Sequence, residues 1–221
     1  MNPPAAASAA PPAFESLYSA VVADVLDALG YRHQTLRPAV RPLTMAGKVA
    51  GRVFPARAEA VTAIPARPYE LEIAAVEAMA AGDVLVVDAG DDRTCGFWGE
   101  LLTTACLYKG VRGAVMTACT RDLGKIKDLN FPVFGLGGHP ADSKGRADIV
   151  SVGEPVTIAG VNARRGDWIL GDEDGVVIIP AEAAEETLRR ARRKMAEENV
   201  VRAELARGMP MGEAFRKYGV L

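Results

Sequence analysis

Histidine is scarce in this chain of 221 residues: His33 and His139 are the only two. A catalytic zinc site normally takes two or three imidazoles, which argues against zinc chemistry. Cysteine is nearly as rare. Cys95, Cys106 and Cys119 cannot all pair and have no metal-ligand spacing, so they read as buried, reduced thiols of a cytoplasmic protein. Aromatic residues make up 6%, and no apolar run approaches the length that crosses a bilayer. Neither sign of charge dominates: 26 Lys and Arg against 28 Asp and Glu leave a net −2, with no basic face for nucleic acid. No Gly-x-Ser-x-Gly elbow, Walker loop or Rossmann glycine pattern occurs. Met1 to Pro12 hold Ala, Pro, Ser and Asn, without the basic start or apolar core of a signal peptide. That segment reads as a disordered tail.

What is present fits one globular domain over residues 13–221, with 49% hydrophobic and 24% charged residues. Leu17, Val21, Val25 and Leu29 recur every four positions, which predicts a helix stopped at Gly30. Val49 to Phe54 reads as a strand. Tyr69 to Ala80 reads as a second helix, with Leu71, Ile73, Val76 and Met79 as its apolar positions. From Val84 onward, strand and helix alternate: strand 84–88, a loop, helix 99–109, strand 114–117, helix 123–129 and strand 132–134. Such alternation predicts parallel strands joined by helical crossovers. A glycine-rich loop, 135–146, then leads to short strands near 148–152, 156–159, 168–170 and 176–179, so a second β-layer is expected. Residues 181–207 form a long helix with six acidic and seven basic side chains. Its apolar positions are sparse, so it is either a solvated surface helix or one packed on a neighbouring subunit.

The chemistry concentrates at two strand-to-helix junctions. Phe97-Trp98-Gly99-Glu100-Leu101-Leu102 opens one helix, and Arg121-Asp122 opens the next. A helix start presents unpaired N–H groups and the positive end of a dipole, which suits a carboxylate or phosphate. Gly99, Leu101 and Leu102 leave those amides unobstructed. Arg121 can offer a forked donor to an oxyanion, and Asp122 can ligate a hard cation. Read alone, Asp122 is more simply a helix N-cap beside an exposed Arg, and Glu100 a first-turn acid favoured by the dipole. His139 is a candidate substrate contact or a loop histidine satisfied locally. Asp172-Glu173-Asp174-Gly175 lacks a full calcium-loop spacing and reads as an acidic turn.

Taken together, Glu100-x20-Arg121-Asp122 resembles the acid-x20-Arg-Asp signature of the RraA-like family. That family includes class II pyruvate aldolases acting on 4-hydroxy-4-methyl-2-oxoglutarate and 4-carboxy-4-hydroxy-2-oxoadipate, and regulators of ribonuclease E. The segments Val22 to Leu29, Gly82 to Asp88 and Gly171 to Val177 are similar to family segments as well. The resemblance implies an α/β fold, a β/β/α swivelling-domain sandwich with a long C-terminal helix, assembled as trimers or hexamers with sites between subunits. It implies a lyase dependent on Mg²⁺ or Mn²⁺ that splits a small-molecule 2-oxo acid to pyruvate by retro-aldol cleavage, with oxaloacetate decarboxylation as a related activity. By the same resemblance Asp122 binds the metal and Arg121 contacts pyruvate oxygens. The amides of Leu101 and Leu102, beside Gly99, hold the pyruvyl carboxylate. Glu100 reaches the metal through a water, and so does Glu198 of a neighbouring subunit, with Glu197 as the alternative. Glu100 stands where the aldolases carry Asp, and Gly138 to Arg146 departs further, placing this chain in another branch. The competing expectation is a non-catalytic protein-binding regulator of ribonuclease activity.

Overall fold

The computed structural model describes residues 14–44 and 47–220, so the expected tail at Met1 to Pro12 lies outside the described residues. In chain order the elements are α1 (Ser19–Ala28), β1 (Arg41–Pro42), β2 (Val49–Ala60), α2 (Glu70–Ala78), β3 (Asp83–Trp98), α3 (Glu100–Lys109), β4 (Gly113–Thr120) and α4 (Leu123–Asp128). There follow β5 (Val133–Gly135), β6 (Ala147–Val152), β7 (Val156–Ile158), β8 (Val161–Ala163), β9 (Trp168–Gly171), β10 (Val176–Ile179), a tight helical turn at Ala181–Ala183, α5 (Ala184–Ala206) and α6 (Met211–Tyr218).

The main sheet runs β1-β5-β4-β3-β2-β9-β10, with β6 also paired to β2. Its centre, β2-β3-β4-β5, is parallel, and α2, α3 and α4 are the crossovers, as the alternation in sequence predicts. In β3, Leu85 and Val87 face the helices while Val84 and Val86 face the opposite layer. A strand whose successive side chains are all apolar is one buried on both faces. The second face is covered by the β7–β8 hairpin, whose Val156, Ile158 and Val161 join Val49, Val53 and Val115. A hairpin layer, a sheet and a helical layer make the β/β/α arrangement. Each fully buried large side chain, Trp98, Phe54 and Phe131 among them, contributes on the order of 1.5–3 kcal/mol by leaving water.

Several sequence expectations need correction. The stretch after Asp88 is not a loop: β3 continues to Trp98, pairing with β4 through register shifts near Asp92 and Gly96. Gly90 and Asp91 both take positive φ, and the polar run around them disguised a bulged strand. Leu71 and Ile73 do not face the core. Glu72, Ala75 and Val76 do, so the inward stripe of α2 includes an acid. The long helix α5 is fixed by its own domain after all: it packs on α1, burying Thr187, Ala191 and Val201. Ala191 joins the cluster around α1, with Leu188 and Met195 packed against it, so the few apolar positions serve this contact. The acidic turn has a structural task. Asp172 accepts Ser19 N–H at 2.7 Å and Ser19 Oγ–H at 2.6 Å, anchoring the start of α1. Strand β8 and helix α6 are additions that the sequence reading did not include.

Candidate active site

Spacing in the sequence becomes proximity here because β3 and β4 are parallel neighbours joined by α3. Trp98 lies opposite Thr120 in the ladder, and Arg121 N–H donates to Trp98 O at 2.8 Å. One crossover helix and one strand account for the twenty residues separating Glu100 from Arg121. The chain turns into α3 directly after Gly99 and into α4 directly after Asp122, so both helix starts open on the same cavity. That cavity, about 530 Å³, is lined by Gly99, Glu100, Leu101, Leu102, Arg121 and Asp122, with Tyr69, Glu72, Ile73, Asp142 and Ser143 on the remaining walls.

Asp122 occupies the left-handed region at φ 58° and ψ 27°, a conformation Asp tolerates better than most residues. Its Oδ2 accepts the Glu100 N–H at 3.2 Å and stands 3.7 Å from Arg121 Nε. This approach requires glycine next door: a Cβ at Gly99 would meet Asp122 Oδ2 at 3.0 Å and Arg121 Nε at 3.4 Å. Thr103 N–H closes the first turn of α3 on Gly99 O at 3.2 Å. The N–H groups of Leu101 and Leu102 precede that bond and have no intrahelical acceptor. Glu100 carries its side chain along α3, where Thr104 Oγ donates to it at 3.0 Å. Trp98 is wholly buried, its indole N–H on Thr103 Oγ at 2.8 Å, while Phe97 forms part of the cavity wall.

Opposite Asp122, Arg121 Nη1 lies 3.4 Å from Asp142 Oδ1, and Tyr69 O–H donates to Asp142 Oδ2 at 2.6 Å. Asp142 is carried in from the 135–146 loop, which runs beside β3 through Gly96 N–H to Ala141 O at 2.7 Å. Burial alone would raise the Asp142 carboxyl. The hydrogen bond from Tyr69, the Arg121 charge and the N–H groups of Ser143 and Lys144 outweigh it and hold the carboxyl below its ordinary range. Tyr69, which opens α2 at φ 64°, is pushed up to about 12 by burial first and by its bond to Asp142 second.

Every residue that sequence reasoning placed at the α3 and α4 starts therefore meets in one cavity. Glu198 and Glu197 do not join them within the chain: Tyr18 O–H donates to Glu198, and Glu197 pairs with Arg193 at 2.8 Å on another face. His139 turns away too, its Nδ1 accepting Ala141 N–H at 3.2 Å. Tyr69, Glu72 and Asp142 were missed as site residues. Only Glu72 had a readable signal, an acid in register with Val76 and Met79.

A model of the RraA-like family, described as Aldolase/RraA, matches residues 19–178. The chain belongs to the RraA-like family. A relative from Halalkalibacterium halodurans, named "Putative 4-hydroxy-4-methyl-2-oxoglutarate aldolase", is 32% identical over 84% of this chain and 83% of its own length. Protein DlpA of Legionella pneumophila is 27% identical over 90% of this chain, which spans only 32% of that longer protein. Among solved structures, Streptomyces coelicolor RraAS2, titled an unusual member of the RNase ES inhibitor RraA protein family, superposes with a TM-score of 0.78. It is 26% identical and covers 87% of this chain and 96% of its own. The RraA-like fold thus carries both an aldolase name and an inhibitor name, and the cavity has to discriminate between them.

As for a metal, the donors at this cavity are hard carboxylate oxygens of the kind Mg²⁺ and Mn²⁺ take. Among the described residues no three His, Cys, Asp or Glu side chains converge tightly enough to hold an ion by themselves. Asp122 offers this cavity one carboxylate, the donor type that a cation keeping several waters takes.

Proposed function

We propose that this RraA-like protein is a divalent-metal-dependent lyase that cleaves a C–C bond of a 2-oxo acid and releases pyruvate. The observation behind this reading is the convergence of Asp122, Arg121 and the open start of α3 on one cavity. The free N–H groups of Leu101 and Leu102 would take the substrate carboxylate at the positive end of the helix. Arg121 would donate to the 2-oxo oxygen and stabilise the negative charge that develops there as the enolate forms. Asp142, paired with Arg121 on its far side, would hold the guanidinium in that orientation. Asp122 would ligate Mg²⁺ or Mn²⁺, with Glu100 reaching it through a water; the cation supplies a Lewis acid for the carboxylate and oxo oxygens.

A further carboxylate, Glu198 or Glu197 of a neighbouring copy, would complete the set in a trimer or hexamer. In support, the cavity rim is apolar and uncovered, with Leu101 77% and Ile73 51% exposed. Retro-aldol cleavage of a 4-hydroxy-2-oxo diacid and decarboxylation of oxaloacetate pass through the same enolate, so both belong to this reading.

The similarity to RraAS2 supports a second reading, a protein-binding regulator of a ribonuclease. Pyruvate release can be followed with a panel of 4-hydroxy-2-oxo diacids and oxaloacetate, with Mg²⁺ or Mn²⁺ and then with a chelator. Turnover that the chelator abolishes supports the lyase. Absence of turnover on the whole panel, with inhibition of a ribonuclease, would establish the regulator instead.

A further inference from the structure

Glu72 is the acid on the inward stripe of α2, and only 7% of it is exposed. Its Oε1 is buried and has no hydrogen-bond partner among the described residues, although a buried carboxyl ordinarily finds a donor. The residue that carries it lines the same cavity as Arg121, Gly99 and Asp122. The charges acting on it are Asp148 on β6, Asp142 on the 135–146 loop and Arg121 after β4; Tyr69 at the start of its own helix, Glu100 on α3, Asp122 and Lys125 of α4 line the same cavity. Burial first, and then the two aspartates, outweigh the Arg121 charge and push the Glu72 carboxyl up to about 7. Its neighbours are poorly suited to proton transfer. Asp142 is held below its ordinary range and Tyr69 is pushed far above neutrality.

We propose that Glu72 is the acid–base residue of this site, taking the proton of the substrate's 4-hydroxyl during cleavage and returning it to carbon 3 of the product enolate. The assignment rests on the lyase reading above. As the hydroxyl proton passes to the Glu72 carboxylate, the 4-oxygen becomes the carbonyl of the departing oxo acid. The C3–C4 electron pair moves to C3 and C2, leaving the pyruvate enolate under Arg121. The proton on Glu72 then goes to C3 and gives pyruvate, so the residue ends as it began. A group with a pKa near the working pH suits this two-way transfer. Decarboxylation of oxaloacetate reaches the same enolate by loss of carbon dioxide, with no hydroxyl proton to remove.

That difference supplies the test. Wild type, Glu72→Gln and Glu72→Asp are assayed with Mg²⁺ on a 4-hydroxy-2-oxo diacid and on oxaloacetate, after circular dichroism confirms the fold. Glu72→Gln is expected to lose about a hundredfold or more in retro-aldol kcat, the usual worth of a positioned base, and to lose less in decarboxylation, which needs only the return of a proton to carbon 3. The wild-type kcat/KM for cleavage should rise with pH through about 7, as the carboxyl ionises, and that limb should vanish in Glu72→Gln. Glu72→Asp should keep part of the activity and a displaced limb. Equal losses on both substrates, or no loss on either, overturn the assignment while leaving the lyase intact. A wild type inert on both substrates overturns the lyase reading and this assignment together. Should Glu72→Gln fail to fold, the wild-type limb and the Glu72→Asp variant decide: no pH dependence near 7 refutes the role.

Discussion

The backbone N–H of Glu100 donates to Oδ2 of Asp122 across 3.2 Å, so the start of one crossover helix is tied to the start of the next. Asp122 therefore has a structural bond as well as its proposed ligand role, and a test must separate the two. Asn retains the left-handed backbone and an acceptor oxygen but loses the charge. Asp122→Asn is expected to melt close to wild type while metal-dependent turnover falls by about two orders of magnitude or more. Retained turnover at ordinary Mg²⁺ concentrations would remove Asp122 from the ligand set.

Arg121 lies between Asp122 and Asp142, 3.7 Å and 3.4 Å from their carboxylates, and in the proposed reaction its planar fork would serve a substrate oxygen. Lysine keeps the charge and loses the fork. Arg121→Lys should cost at least about tenfold in kcat, or about 1.4 kcal/mol of barrier. A smaller loss in steady-state assays would place the guanidinium outside the reacting centre.

Stability should also report on Glu72. Its carboxyl rises from 4.5 to about 7 on folding, so the folded state holds the proton more tightly than the unfolded chain. The contribution of this group is fully present below about 4.5 and is lost as the pH climbs through about 7. Relative to wild type, Glu72→Gln should therefore gain stability between pH 5 and pH 8, by an amount on the order of 3 kcal/mol. Urea unfolding at the two pH values measures it. A wild-type-to-variant difference that does not move with pH would mean the carboxyl is not buried as described.

Subunit sharing can be read by complementation. If Glu198 or Glu197 completes a neighbour's site, mixing Asp122→Ala protein with a Glu197→Ala/Glu198→Ala double variant under subunit exchange should regain part of the turnover. Some interfaces would then combine intact halves from both parents. Since Glu198 also receives the Tyr18 hydroxyl, the double variant must first be shown to fold by circular dichroism. A dilute monomer by light scattering with full activity would exclude shared sites.

The sequence alone determined the elements whose signals are local. Apolar periodicity and a terminal glycine mark α1 and α3, since Gly30 and Gly110 both take the positive φ that ends a helix. The apolar run Val84 to Val87 marks a doubly buried strand, and the twenty residues between Glu100 and Arg121 mark two junctions one crossover apart. These features depend only on residues near one another along the chain. Tertiary structure alone decided what depends on distant partners. Pairing of Asp92 with β4, and of Gly96 with β4 and the 135–146 loop, carried the polar stretch after Asp88 into strand. Packing of α2 against β6 turned Glu72 inward and left Leu71 and Ile73 outside. The same loop brought Asp142 to Tyr69 and Arg121, three residues with no shared motif. A local pattern records which face a residue prefers. The free energy of burial, summed over partners tens of residues away, decides which face it gets.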